Sequence, residues 1–190
     1  MRVLYPTTPA QYFHLVRRQG IMRPERPMVV MTPKSLLRLP AATSPVRELV
    51  AGRFRPVLDD PTAAGREDRI RRLVLCTGKI YYDLDAHEGR KAAEDVAIAR
   101  VEELYPFPAR ELESLVSGCP SLEEVVWTQE EPRNMGALTF VGSRLRAVVP
   151  KEVPMRYVAR PERASPAEGK PADHNREQQR IVREALRLNG

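Results

Sequence analysis

The sequence predicts an α/β protein with a mainly parallel sheet flanked by helices. Short runs rich in valine, isoleucine and leucine alternate with amphipathic segments, and this alternation is typical of the class. Each run is bounded by turn residues, as buried parallel strands usually are. The predicted strands cover residues 3–5, 28–32, 73–76, 96–101, 124–128 and 155–158.

The helices are predicted from caps and from apolar residues at helical spacing. The first begins at Pro9 after the N-cap Thr8, and Ala10, Phe13 and Val16 are expected to line its apolar face. Apolar stripes mark three later helices: Leu112, Leu115 and Val116; Leu138, Val141, Leu145 and Val148; and Ile181, Val182, Ala185 and Leu186, in a helix beginning near Asp173.

Residues 41–68 interrupt this alternation. They are rich in proline, glycine and aspartate, and only 46–50 have a helical pattern, so we predict a linker with one short helix. The strand–helix–strand unit in residues 1–40 is too small to be a domain. It is expected to be a poorly anchored tail of another domain, and 69–190 is the predicted C-terminal domain.

Composition narrows the functional classes. Residues 1–38 contain seven basic side chains and one acid, so they carry the whole net charge of +6. No aromatic residues of a known nucleic-acid module accompany this charge, which favours a partner-facing edge or an anionic small-molecule site. No apolar run approaches the roughly 20 residues of a membrane helix, and no signal peptide is evident. Cys76 and Cys119 lack metal or redox spacing, as expected for free thiols in a reducing cytoplasm.

Catalytic signatures are missing or incomplete. Thr77-Gly78-Lys79 lacks the first glycine and the final Ser/Thr of a phosphate-binding loop, and no Gly-x-Gly pattern occurs. The three histidines are isolated and are expected at the surface or in caps. Glu130 and Glu131 are adjacent and precede Pro132, so they are expected to anchor a turn. We therefore predict no catalytic, cofactor-binding or metal-binding residue.

Polar residues follow the predicted strands, where parallel sheets present their functional edge. This pattern indicates an edge built for contact, although turns in α/β proteins are commonly polar. The segments concerned are 32–35, 77–79, 105–108, 129–134 and 160–161.

These same segments resemble the C-terminal part of the 2-oxoglutarate dehydrogenases, the thiamine-diphosphate-dependent decarboxylating components of their complexes. The similar blocks run from end to end of the chain: Thr32-Pro33-Lys34-Ser35-Leu36-Leu37-Arg38, Thr77-Gly78-Lys79-Ile80-Tyr81-Tyr82-Asp83-Leu84, Leu104-Tyr105-Pro106-Phe107-Pro108, Trp127-Thr128-Gln129-Glu130-Glu131-Pro132 with Asn134 and Gly136, Arg160-Pro161, Ala164-Ser165-Pro166-Ala167 with Gly169, and His174 with Glu177-Gln178-Gln179. Leu39, Glu103 and Ala159 depart from the family pattern.

The resemblance implies a transketolase-type C-terminal domain in 69–190, preceded by the tail of a pyrimidine-binding domain in 1–40. Thiamine diphosphate and magnesium would belong to the parent enzyme, since the diphosphate motif Gly-Asp-Gly does not occur in this sequence. The chain would then be a fragment or one part of a split gene product. Its role would be architectural or regulatory, and the isolated chain is expected to be inactive.

In the parent enzyme, this domain would serve the decarboxylation of 2-oxoglutarate in the citric acid cycle and succinyl transfer to lipoyl groups. The partners so implied are the upstream domains, a second copy in a homodimer and the lipoyl-bearing succinyltransferase, with no nucleic acid or membrane. Two alternatives are the same domain of a 2-oxoadipate dehydrogenase and a stand-alone anion-binding regulatory module.

The resemblance also implies a regulatory site. Some members of the family bind acetyl-CoA on basic residues of this region, and Arg18, Arg53 and Arg110 match the basic character of that pattern. Pro56, Glu103 and Glu111 do not match it, so the anion is expected to bind more weakly or not at all.

Overall fold

The computed structural model describes residues 1–188, which form a mixed α/β fold. The strands are β1 (Arg2–Leu4), β2 (Met28–Val30), β3 (Val57–Leu58), β4 (Arg72–Cys76), β5 (Val96–Val101), β6 (Glu103–Tyr105), β7 (Glu124–Pro132) and β8 (Met155–Arg160). The helices are α1 (Pro9–Ile21), α2 (Val46–Ala51), α3 (Ile80–Asp85), α4 (Ala109–Ser117), α5 (Leu138–Val148) and α6 (Pro171–Ala185).

The main sheet has five strands in the order β3-β5-β4-β7-β8. Strands β5, β4, β7 and β8 are parallel, and β3 joins the β5 edge antiparallel. Every residue of β4 is buried, as expected for a central parallel strand with helices on both faces. The predicted fold class is therefore confirmed.

Alternate side chains of the strands build two separate cores. Val74 and Cys76 point to the face covered by α3 and α6, whereas Leu73 and Leu75 point to the face covered by α4 and α5. Trp127 is fully buried in the second core. Both cysteines are free thiols, as predicted, and both are buried.

A second sheet of three strands, in the order β2-β1-β6, lies beside the first. Strand β1 pairs parallel with β2 and antiparallel with β6, which directly follows β5. The N-terminal unit is therefore anchored by a strand from the C-terminal part of the chain, contrary to our expectation of a poorly anchored tail. Leu4 is fully buried, but Val29 keeps 41% of its surface exposed.

Helix α1 begins as predicted, with Thr8 accepting a hydrogen bond from the backbone N–H of Gln11 at 3.2 Å. The expectation for its apolar face is wrong at two positions, because Phe13 and Val16 are 47% and 48% exposed. The buried face instead contains Ala10, Gln11, His14 and Leu15. Gln11 and His14 are held there by backbone carbonyl groups of Arg55 and Glu48, so polar bonds determine which face is turned inward.

The C-terminal helix is fastened to the sheet by a buried ion cluster. Arg72 on β4 contacts Glu124 on β7 at 2.8 Å and donates hydrogen bonds to the carbonyl groups of Glu184 and Ala185. Arg187, just beyond α6, also binds Glu124. Burial alone would raise the pKa of the Glu124 carboxyl, but the hydrogen bonds from the two arginines outweigh it and lower this pKa.

We predict that Glu124→Gln lowers the free energy of unfolding by about 2 kcal/mol at pH 7, because it leaves a buried guanidinium without its counter-ion. A lowered native pKa stabilises the fold above the ordinary value of 4.5, and this stabilisation is lost as the pH falls through the native pKa. The difference in the free energy of unfolding between the unsubstituted protein and Glu124→Gln should therefore shrink in acid. Urea unfolding at several pH values measures it.

Glu123→Gln is the matched control, since Glu123 pairs with Arg71 on the surface, where both side chains are about half exposed, and reaches Arg187 only at 3.9 Å. Its effect should stay below about 1 kcal/mol. Equal effects of the two substitutions at pH 7 would contradict the role given to the buried cluster.

Candidate docking site at the carboxyl edge of the sheet

The main sheet has a topological switch point at β4. The chain passes from β4 to β5 on one side and later to β7 on the other, so the loops after β4 and β7 diverge. In open α/β sheets this crevice is the usual ligand site. Here it contains residues of the N-terminal segment.

Tyr5 lies directly on Gly78, which follows β4. A Cβ atom at Gly78 would be 2.2 Å from the Tyr5 ring, and the φ of this glycine is +74°. Glycine is therefore required both for the backbone conformation and for contact with the ring. Burial, followed by repulsion from Glu130 and Glu131, raises the pKa of Tyr5 to about 12, so its hydroxyl stays protonated at neutral pH.

Glu102, directly after β5, holds the next residues of the same segment. Its fully buried carboxylate accepts hydrogen bonds from the Thr7 backbone N–H at 2.9 Å and the Thr7 hydroxyl at 2.6 Å. Gln11 adds a longer contact at 3.4 Å. Burial raises the pKa of Glu102 although these hydrogen bonds oppose the shift.

The remaining polar atoms of Thr7 are bonded as well. Arg100 donates to its hydroxyl at 2.9 Å, and Tyr82 donates to its carbonyl at 2.7 Å. The Arg100 guanidinium also lies 3.9 Å above the centre of the Tyr81 ring. The Arg100 Nε has no hydrogen-bond partner among the described residues, but the backbone N–H, carbonyl and hydroxyl of Thr7 are all bonded, which fixes this residue in one geometry.

The carboxyl end of β7 forms the other side of the crevice. Glu130, near the end of β7, pairs with Lys79 at 2.7 Å, so this carboxylate ties the strand end to the loop after β4. Gln129 accepts from the Trp127 indole and from the Leu138 backbone N–H, and donates to the carbonyl groups of Pro132 and Met135. We expected Glu130 and Glu131 to cap or anchor a turn, but both lie within β7, and the Glu130 side chain bonds to Lys79 on a different segment.

The histidines do not converge on a site. His87 caps a short helix by accepting a hydrogen bond from Gly89, as expected. The expectation is wrong for His14, which lies on the buried face of α1. His174 contacts Arg160 at 2.9 Å, at the end of β8. Among residues 1–188, no group of His, Cys, Asp and Glu side chains is arranged to hold a metal ion.

The arginines of the predicted acetyl-CoA site lie in different surroundings. The Arg18 guanidinium donates two hydrogen bonds to the Glu103 carboxylate, at 2.6 and 3.1 Å, and stacks on the Phe54 ring. Arg53 and Arg110 line different cavities, and that of Arg110 also contains Asp59, Asp60 and Glu67. The acetyl-CoA site therefore stays a prediction, with Glu103 already neutralising one of its arginines.

Sequence reasoning did not find Tyr5, Thr7, Arg100 or Glu102. A single Glu after a strand carries no recognisable motif, and its partner is about a hundred residues away in the chain. Within the described part of the chain, no helix is long and apolar enough to cross a membrane.

Comparisons with known proteins agree on one family. Residues 43–186 match the model of the 2-oxoglutarate dehydrogenase C-terminal family. The chain is 48% identical to the 2-oxoglutarate dehydrogenase E1 component of an Exiguobacterium species over 182 residues, which cover 93% of this chain and 19% of that protein. The E1 component of Bacillus licheniformis is also 48% identical, over 95% of this chain and 20% of its own length.

The chain thus spans about a fifth of the length of these relatives. Among solved structures, a split-gene transketolase described as an inactive beta4 tetramer aligns with a TM-score of 0.60. That alignment covers the whole of this chain and 59% of the transketolase chain at 19% identity. This likeness supports the fold alone, and the transketolase-type prediction agrees with it.

We predict that Gly78→Ala destabilises the protein by about 3 kcal/mol or more, because a methyl group would displace the Tyr5 ring. Gly65→Ala is the matched control, since Gly65 also has a positive φ of +77° but a Cβ atom at this position would have nothing within 4 Å. It should cost only about 1 kcal/mol of backbone strain.

In a Tyr5→Ala background, the cost of Gly78→Ala should fall to that of Gly65→Ala. Denaturant unfolding of the unsubstituted protein, Gly78→Ala, Tyr5→Ala and the double variant measures this coupling. An unchanged cost in that background would show that Tyr5 does not fill the crevice.

Proposed function

Because this chain belongs to the 2-oxoglutarate dehydrogenase family, we propose that it acts as the C-terminal domain of such an enzyme, in an architectural rather than a catalytic role. One observation carries the proposal. The switch-point crevice, where α/β proteins usually bind their ligands, holds Tyr5 and is bordered by the Thr7–Glu102 contact. This edge is therefore used to join two parts of the polypeptide.

The residues present do not fit a thiamine diphosphate and magnesium site. The sequence lacks Gly-Asp-Gly, and the carboxylates at the edge are committed to other contacts: Glu102 to Thr7 and Glu130 to Lys79. We assign both cofactors to the upstream part of the parent enzyme. There they would support decarboxylation of 2-oxoglutarate and succinyl transfer to a lipoyl group.

The same proposal names the partners. They are the upstream domains, a second copy in a homodimer and the lipoyl-bearing succinyltransferase component, all in the cytoplasm. Residues 1–40 would complete a pyrimidine-binding domain, and 41–68 would link it to the C-terminal domain in 69–190. The names of the two bacterial relatives favour 2-oxoglutarate over 2-oxoadipate. The match over most of the chain favours an enzyme domain over a stand-alone anion-binding module.

We expect the isolated chain, supplied with thiamine diphosphate, magnesium and 2-oxoglutarate, to reduce an artificial electron acceptor no faster than heat-denatured protein. A chimera in which this chain replaces the matching segment of the Exiguobacterium E1 component should be active. Steady-state dye reduction measures both.

Two results would contradict the proposal. One is turnover by the isolated chain well above the denatured control. The other is a soluble, folded chimera without activity while the parent Exiguobacterium protein, prepared in parallel, is active.

A further inference from the structure

An apolar groove of about 920 Å³ lies between the outer face of the small sheet and the start of α5. Val3, Tyr5 and Tyr105 form one wall, and Ala137 and Phe140 form the other. The rings of Tyr105 and Phe140 pack edge to face with their centres 6.1 Å apart, and Tyr105 is 45% exposed. The groove is thus lined with aromatic and aliphatic groups that a partner could cover.

One charged side chain, Glu131, lines this groove. Its carboxylate accepts a hydrogen bond from its own backbone N–H, while neighbouring Glu130 is paired with Lys79. Burial and, more weakly, repulsion from Glu130 raise the pKa of Glu131, although its backbone hydrogen bond and the positive charges of Lys79 and Arg160 oppose the shift. Lys79 and Arg160 act on Glu131 only from a distance, and within residues 1–188 no cation forms an ion pair with it. A cation in the groove would stabilise this half-buried carboxylate.

The apolar surface continues beyond the groove. Met31, Thr32 and Pro33 also line a second cleft of about 420 Å³, which reaches Tyr12 on α1 and Leu37. Phe13 and Val16 extend this surface along the open side of α1. An exposed apolar surface that runs over several elements of one unit is typical of a protein–protein contact.

We infer that the groove receives an apolar segment of the upstream polypeptide of the parent enzyme, with a lysine or arginine of that segment against Glu131. This inference rests on the proposed function. About four-fifths of the relatives' length lies outside the matched segment, so a large body of polypeptide is present to cover the surface. The groove supplies one negative charge within apolar walls, which is complementary to a basic side chain with an apolar stem.

The chimera with the Exiguobacterium E1 component tests the inference by hydrogen–deuterium exchange. Amides of residues 3–5, 103–107 and 136–140 should exchange at least about tenfold more slowly in the chimera than in the isolated chain. Glu131→Lys in the chimera should remove most of this protection, because it places a second cation in the groove. Tyr105→Ser, at the exposed rim, should weaken the protection without a charge change.

Glu94→Lys is the matched control. Glu94 is exposed and precedes β5, at the opposite edge of the main sheet, so the same charge reversal should leave the protection unchanged.

An active chimera with unprotected groove amides would overturn the inference and leave the proposed function standing. Protection that survives both Glu131→Lys and Tyr105→Ser would also overturn it. Protection already present in the isolated chain and dependent on its concentration would overturn it as well, because the occupant would then be a second copy. A folded but inactive chimera would contradict the proposed function, and the inference with it.

Discussion

A carboxylate that has no access to water organises this molecule. Glu102 is fully buried at the carboxyl end of β5, and its hydrogen bonds come from the N-terminal segment, above all from Thr7. Leaving such a group unsatisfied would cost several kcal/mol, on the order of the whole stability of a domain of this size. The segment is therefore held at the sheet edge, and its neighbour Tyr5 is held on Gly78.

This constraint explains why we assign no chemistry to an edge rich in polar residues. Arg100, Tyr82 and Glu102 each direct their hydrogen bonds to Thr7, and Lys79 is paired with Glu130. Glu131 differs, since it lines an open apolar groove and forms no ion pair with any of the described residues. The edge thus holds one contact that is already made and, beside it, the groove that we propose the upstream polypeptide covers.

Local patterns predicted most of the fold, because helix caps and apolar periodicity are recorded in neighbouring residues. The parallel strands of the main sheet and the limits of α5 were predicted from such patterns. Strands β3 and β6 were missed, since two or three residues next to prolines carry no period and are defined by their partners. The apolar face of α1 was misjudged for a related reason: bonds from Gln11 and His14 to distant carbonyl groups turn Phe13 and Val16 outward. For the same reason, the sequence identified polar residues at the carboxyl edge of the sheet but not which of them bond to each other.

The central claim is that the bond between Thr7 and Glu102 joins the N-terminal segment to the sheet. A double-mutant cycle with Thr7→Val and Glu102→Gln, followed by urea unfolding at pH 7, tests it most directly. We predict a coupling energy of about 2 kcal/mol, while Thr139→Val on the exposed side of α5 should be additive with Glu102→Gln. Additivity of Thr7→Val and Glu102→Gln to within about 0.5 kcal/mol would contradict the claim.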